Sequence, residues 1–202
     1  FQTYNRDEFE RYLPGAIARS QKFGTLVHFA ETHDNDRLAK GGERYARLRV
    51  QLAAALSWQG AWGIANGVEW FCREKIDVHQ KNSLSWGAGE NMVPLISKLN
   101  FILGDEPSFA GECRLKVITR GGGNTLAVVR KTPEVSGGER RLLVLANLDT
   151  VNETLIDWDR GEFFAENAFD LITERMVELR AALTLRPGEV LLLAASPARG
   201  AE

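Results

Sequence analysis

Apolar residues recur at helical spacing along the first half of the chain and at strand spacing along the second. Over residues 6–22, Phe9, Tyr12, Leu13, Ile17 and Ala18 fall on one helix face. Pro14 is expected to kink or divide this helix, and Gly24 ends it. Residues 25–30, Thr-Leu-Val-His-Phe-Ala, are short, β-rich and bounded by Gly24 and a polar cluster, which predicts a buried strand. Residues 43–58 return to helical register through Tyr45, Leu48, Leu52, Ala55 and Leu56, with Gly60 as the stop. Residues 61–70 predict a second buried strand, broken by Gly63 and Gly67, and residues 71–90 a long polar loop. A third helix is expected over residues 91–103, its apolar face built from Met92, Leu95, Ile96, Leu99 and Ile102.

Beyond Ser108 the pattern changes. Residues 114–120, 125–132, 141–148, 154–158, 169–173, 177–185 and 189–194 read as strands. Gly121-Gly122-Gly123-Asn124, Ser136-Gly137-Gly138 and Arg186-Pro187-Gly188 read as turns between them. Short strands at this spacing predict an antiparallel sandwich. The helix–strand alternation before Ser108 predicts a parallel sheet, but two strands leave such a sheet with uncovered faces. Together with a start at Phe1 that lacks an initiator methionine and a signal-like apolar core, this suggests a piece of a longer protein. The open faces are expected to be covered by association between chains or by helices docking on the β part.

Composition narrows the partners. The 202 residues are 44% hydrophobic and 26% charged, with a net charge of -2, so no electrostatic argument favours nucleic acid or an anionic membrane. No apolar run is long enough to span a bilayer. Two cysteines, Cys72 and Cys113, are too few for a disulfide framework and are expected to be buried reduced thiols, in keeping with a cytoplasmic home. The three histidines, His28, His33 and His79, are too scattered for a zinc site, so no metal or cofactor is expected; His28 reads as a core or barrel-lining residue. Gly121-Gly122-Gly123 joins two strands rather than a strand and a helix, so it is a hairpin turn and not a phosphate cradle.

The densest chemistry is Glu31-Thr32-His33-Asp34-Asn35-Asp36-Arg37, directly after the first strand. In a parallel barrel, residues just past a strand's C-terminal end line the active-site mouth. The plainer alternative is a solvated loop whose Asp34 or Asp36 caps the following helix. Arg37 is expected to pair with Asp34 or Asp36.

Phe29-Ala30-Glu31-Thr32-His33-Asp34 resembles the seventh-strand motif of the α-amylase family, Phe-x-x-Asn-His-Asp, with Thr32 where asparagine is usual. Gly63-Ile64-Ala65-Asn66-Gly67-Val68-Glu69 resembles the eighth-strand motif, here without its proline. Phe169-Asp170-Leu171-Ile172-Thr173 and the run Leu183 to Leu193 are similar to the end of that family's β domain, and the loop carrying Glu74-Lys75 and Trp86 is faintly similar to maltosyltransferase-type members. The resemblance implies an α/β segment of a (β/α)8 barrel over residues 1–108, followed by an all-β antiparallel sandwich over residues 109–202. It implies a retaining enzyme acting on α-glucans or maltooligosaccharides, whose nucleophile and acid/base, roughly 5 Å apart, come from strands this chain lacks. Asp34 would then be the catalytic carboxylate that steadies the cationic transition state, with His33 a hydrogen-bond donor to the same ring or merely the group that orients Asp34. Glu69 would line the mouth or anchor a loop. Trp70 and Trp86 are the candidate sugar platforms, whereas Trp58 and Trp62 are expected in the core. The isolated chain is expected to show no turnover. A non-catalytic carbohydrate-binding or structural sandwich module is the alternative.

Overall fold

In the computed structural model, which describes residues 5–81, 83–87, 89–134, 137–180 and 182–195, two antiparallel sheets carry a helical layer on one face. The larger sheet is built from β3 (Arg114–Val117), β5 (Thr125–Pro133), β6 (Glu139–Asn147), β8 (Asn167–Asp170), β9 (Arg175–Glu178) and β11 (Val190–Ala195), in the order β3-β5-β6-β11-β8-β9. The smaller consists of β4 (Thr119–Arg120), β7 (Thr154–Trp158) and β10 (Leu183–Leu185), in the order β10-β7-β4. The expected sandwich is present.

Strands β5, β6 and β11 are buried on both faces, which is why their sequences read as apolar runs instead of strict alternation. On one face Ala127, Val129, Leu143, Leu145, Leu191 and Leu193 meet Ile156, Trp158 and Leu185 of the smaller sheet. On the other, Leu126, Val128, Leu142, Val144 and Leu192 meet Phe9 and Leu13 of α1 (Arg6–Phe23) and Leu48 and Leu52 of α2 (Glu43–Ala55). Helices therefore dock on the β part, one of the two coverings expected for the open faces.

Helix α2 is buried almost all round because it serves two cores. Its other face, Ala46, Val50, Ala53 and Ala54, packs with Ala30, Val68, Met92 and with Ile96 and Leu99 of α3 (Val93–Asp105). Helix α1 continues through Pro14 and is not divided there. Pro14 lies on the exposed face, where the Glu10 carbonyl four residues back can turn to water in place of the missing N–H. The face α1 buries is Phe9, Leu13, Ala16 and Ser20, so Tyr12 and Ala18 point outward. Asn5 caps its first turn by accepting from the Glu8 N–H at 3.0 Å, and the Arg6 guanidinium donates to the Gly121 carbonyl at 2.7 Å, tying the helix to the glycine turn between β4 and β5.

The barrel segment differs from expectation. The two predicted strands shrink to a parallel pair of two residues each, β1 (His28–Phe29) and β2 (Trp62–Gly63), and no closed barrel exists among the described residues. A barrel closes only when every strand has a neighbour on both sides. Here the pair has none beyond itself, and Leu26, Val27 and Phe29, expected to be buried, are exposed. Two further strands depart from the reading. The one expected over residues 169–173 ends at Asp170, whose carboxylate accepts from the Ile172 and Thr173 N–H groups and turns the chain. The one expected over residues 177–185 is two strands, β9 and β10, in different sheets. Ala181 of that span, and Ser136 of the expected Ser136-Gly137-Gly138 turn, lie outside the described residues. Among the described residues no helix is long and apolar enough to cross a membrane.

Candidate functional site

The parallel pair decides where the two motifs meet. His28 is in register with Trp62 and Phe29 with Gly63, so the segments after β1 and β2 leave from the same edge. The Phe29 ring packs over Gly63, where a Cβ would stand 2.6 Å from the ring and push it aside. His28 itself is buried, as expected of a core residue, and burial pushes its imidazole down to about 4.

Just past β1, Glu31 and Arg37 form an ion pair, Nε to Oε1 at 2.8 Å, with side chains 2% and 1% exposed. Glu31 Oε2 also accepts from the Leu38 N–H at 2.6 Å. Arg37 reaches across to the second motif, where Nη2 donates to the Asn66 carbonyl at 2.9 Å. Gly67, at φ +94°, lets Arg37 and Cys72 close on its α carbon, where a side chain would meet both at about 3 Å. Burial raises the Glu31 carboxyl above its ordinary range, opposed by the Leu38 N–H and by Arg37. This corrects the expectation that Arg37 pairs with Asp34 or Asp36: the buried partner is Glu31, and Asp36 pairs with Lys40 at 2.7 Å on the surface. Neither Asp34 nor Asp36 caps the following helix. Glu31 holds the first N–H of the short turn Leu38–Gly41, and α2 starts from Gly42 without a side-chain cap. The reason is dielectric. A buried guanidinium demands an anion that is buried with it, and water already solvates the two aspartates.

The ion pair thus staples the two motif loops together and leaves the intervening turn in solvent. That turn is closed by the Asn35 N–H on the Thr32 carbonyl at 3.3 Å and by the Thr32 hydroxyl on Asn35 Oδ1 at 2.8 Å. At its tip His33 Nε2 meets Asp34 Oδ1 at 3.3 Å, with side chains 54% and 78% exposed. Both line an open cleft of about 450 Å³ whose other wall is Lys75, Ile76, Asp77, Val78 and His79. Another cleft, of about 500 Å³, lies at the opposite end of the pair beside Thr25, Gln59 and Cys113 and holds no motif residue.

The remaining sequence candidates sit apart. Glu69 turns back on its own loop: Oε2 accepts from the Gly67 N–H at 2.9 Å and its carbonyl accepts from the Met92 N–H at 2.7 Å, the geometry of a loop anchor. Trp70 is half-buried in the short turn Val68–Trp70, and neither residue lines the cleft. Trp86 is exposed; Trp58 is buried, and Trp62 packs on the core beside α3, donating to Asn100 at 3.2 Å. Cys72 and Cys113 are buried free thiols. Among the described residues no group of three or more His, Cys, Asp or Glu side chains is placed to hold a metal ion. Sequence reasoning missed Asp77 and His79 on the far wall, and the only signal available was their position in the charged loop after the second strand.

No protein-family model matches the sequence, and no curated protein matches it. Solved structures do match its fold. A crystal structure of an α-amylase from Lactobacillus plantarum superposes over 91% of this chain with a TM-score of 0.65 and 18% identity. A γ-CGTase from alkalophilic Bacillus clarkii superposes over 95% with a TM-score of 0.70 and 17% identity. The chain spans 42% of the first and 29% of the second. The resemblance read from the motifs therefore has a counterpart in the fold, with two α-amylase-type enzymes that are much longer than this chain.

Proposed function

We propose that this chain is the C-terminal part of a retaining α-glucan-active glycoside hydrolase or transglycosylase, and that Asp34 is its transition-state-stabilising carboxylate. The observation that carries this is the position of Asp34: it stands past the C-terminal end of β1, in a turn that the Glu31–Arg37 pair fastens to the loop following β2. Asp34 lines the cleft, and a carboxylate at that edge favours positive charge on a sugar ring bound there. His33, in contact with Asp34, donates to the same ring or holds the carboxylate toward it. The likeness to an α-amylase and a CGTase over part of their lengths supports the parent class. The two buried free thiols support a reducing, cytoplasmic setting.

A retaining mechanism needs a nucleophile and an acid/base on either side of the scissile bond. This chain supplies neither, so its own turnover of starch or maltooligosaccharides is expected to be nil. Strong hydrolysis by the purified 202-residue chain overturns the assignment. In a longer parent carrying the missing strands, Asp34→Ala is expected to abolish turnover with the melting temperature unchanged; normal turnover removes Asp34 from the site.

A further inference from the structure

The second motif holds the one asparagine–glycine pair in the sequence, Asn66-Gly67, and the role given to Asp34 makes no use of the Asn66 side chain. Asparagine is chemically labile because the peptide nitrogen of the next residue can attack its side-chain Cγ. Glycine, with no side chain, is the least hindered neighbour for that attack, and Asn66 is exposed. The Gly67 nitrogen gives its proton to water and bonds to Cγ. The bond from Cγ to the amide nitrogen breaks, and that nitrogen leaves as ammonia carrying the proton. Water then opens the five-membered imide at either carbonyl, to aspartate or isoaspartate, so the net change consumes one water and needs no oxidant or reductant.

The fold holds this pair in the wrong rotation for ring closure. The turn over residues 65–68 is closed by the Val68 N–H on the Ala65 carbonyl at 3.1 Å, with Gly67 third at φ +94° and ψ -12°. Asn66 has no positive φ, so the turn is of type II, in which the residue before the glycine has ψ near +120°. At that ψ the Gly67 nitrogen eclipses the Asn66 α hydrogen, about 120° of rotation from the Cβ it must eclipse to close the ring. Both ends of the peptide unit between them are gripped. Arg37 Nη2 donates to the Asn66 carbonyl at 2.9 Å, and the Gly67 N–H donates to Glu69 Oε2 at 2.9 Å. Rotation breaks both bonds, and Arg37 is itself held by buried Glu31.

We infer that Asn66 is a gated self-modification site: it deamidates only when Arg37 and Glu69 release its peptide, and the isoaspartyl product stops the two motif loops from being stapled again. Isoaspartate adds a methylene to the backbone and leaves an α-carboxylate where the Asn66 carbonyl stood, so it competes with Glu31 for Arg37. A transient opening is thereby made permanent, whether or not Asp34 meets a sugar.

The test incubates the 202-residue chain at neutral pH beside a free peptide of residues 61–72, which has no gate. Digestion and mass spectrometry read amide-to-acid conversion at Asn66, and an isoaspartyl methyltransferase reads the isoaspartate. The native chain is expected to react about a hundredfold or more slowly than the peptide, the fraction of time a buried ion pair leaves the turn open. Glu69→Ala removes one grip and leaves the ion pair, so it should speed the reaction about tenfold. Arg37→Leu should bring the rate close to that of the peptide. Hydrogen exchange at the Gly67 N–H reports the same opening and should rise in step. Thermal melts verify the fold of each variant; if Arg37→Leu is unfolded, Glu69→Ala decides alone. A native chain that reacts as fast as the peptide overturns the gate, and so does a folded Glu69→Ala variant that reacts no faster than the native chain.

Discussion

Arg130 is a buried charged group at the joint between helices and sheet. It lies on β5 with no exposed surface. Its guanidinium donates to the carbonyls of Ser108 at 3.2 Å, Ala55 at 3.4 Å and Ser57, and sits 4.2 Å from the Phe109 ring centroid. It thereby ties the end of α2 to the larger sheet. Arg130→Met keeps the stem and removes every donor. Ser108 retains a second donor in the Thr132 hydroxyl at 3.4 Å. The Ala55 and Ser57 carbonyls lose theirs, at about 1–3 kcal/mol each, and the lost cation–π contact adds about 1 kcal/mol. Against this stands relief from burying the charge. Burial lowers the Arg130 pKa from 12.5 to about 10, which corresponds to roughly 3 kcal/mol at about 1.4 kcal/mol per unit. The balance is a destabilisation of about 2 kcal/mol, or about 4–8 °C in melting temperature for a chain of this size. Arg130→Lys is expected to be worse than Met, because a compact, strongly hydrated ammonium keeps the burial cost and cannot span three carbonyls. Urea unfolding followed by tryptophan fluorescence reads both, with an unchanged denaturant slope for Met. Arg130→Met at or above native stability refutes the reasoning, since the guanidinium would then cost more than the carbonyls it serves. A Lys variant as stable as the native chain refutes it equally.

Two further outcomes follow from the site. Arg37→Leu strips Glu31 of its buried counter-charge and is expected to cost about 3–5 kcal/mol in urea unfolding; it should also loosen the Asp34 turn, so that protease cleavage within residues 30–38 accelerates. A change under 1 kcal/mol would mean that the pair does not staple the two loops. His28, held near 4 by burial against an ordinary 6.5, binds its proton more readily in the unfolded chain. Stability should therefore fall as pH drops from 6.5 to 4 and level off below; His28→Asn should flatten that segment of the thermal-melt profile, and an unaltered slope in the variant argues against the shift.

Much of this molecule could be read from residue order. Helical spacing placed α1, α2 and α3 to within a few residues, and the short apolar runs after Ser108 announced a sandwich, because periodicity records which faces a chain must hide from water. The polar turn that carries Asp34 could be placed for the same local reason, since it follows a β-rich segment directly. Tertiary structure alone decided the rest. Nothing in the order of Glu31, Asp34 and Asp36 tells which carboxylate Arg37 takes into the interior; that choice depends on which of them loses its water when α2 and the second motif close over the segment. Nor does local pattern say that residues 177–185 change sheets, or that 25–30 and 61–70 pair over two residues each. Strand length is set by the neighbours available to bond with, and neighbours are a property of the folded chain rather than of any one stretch of it.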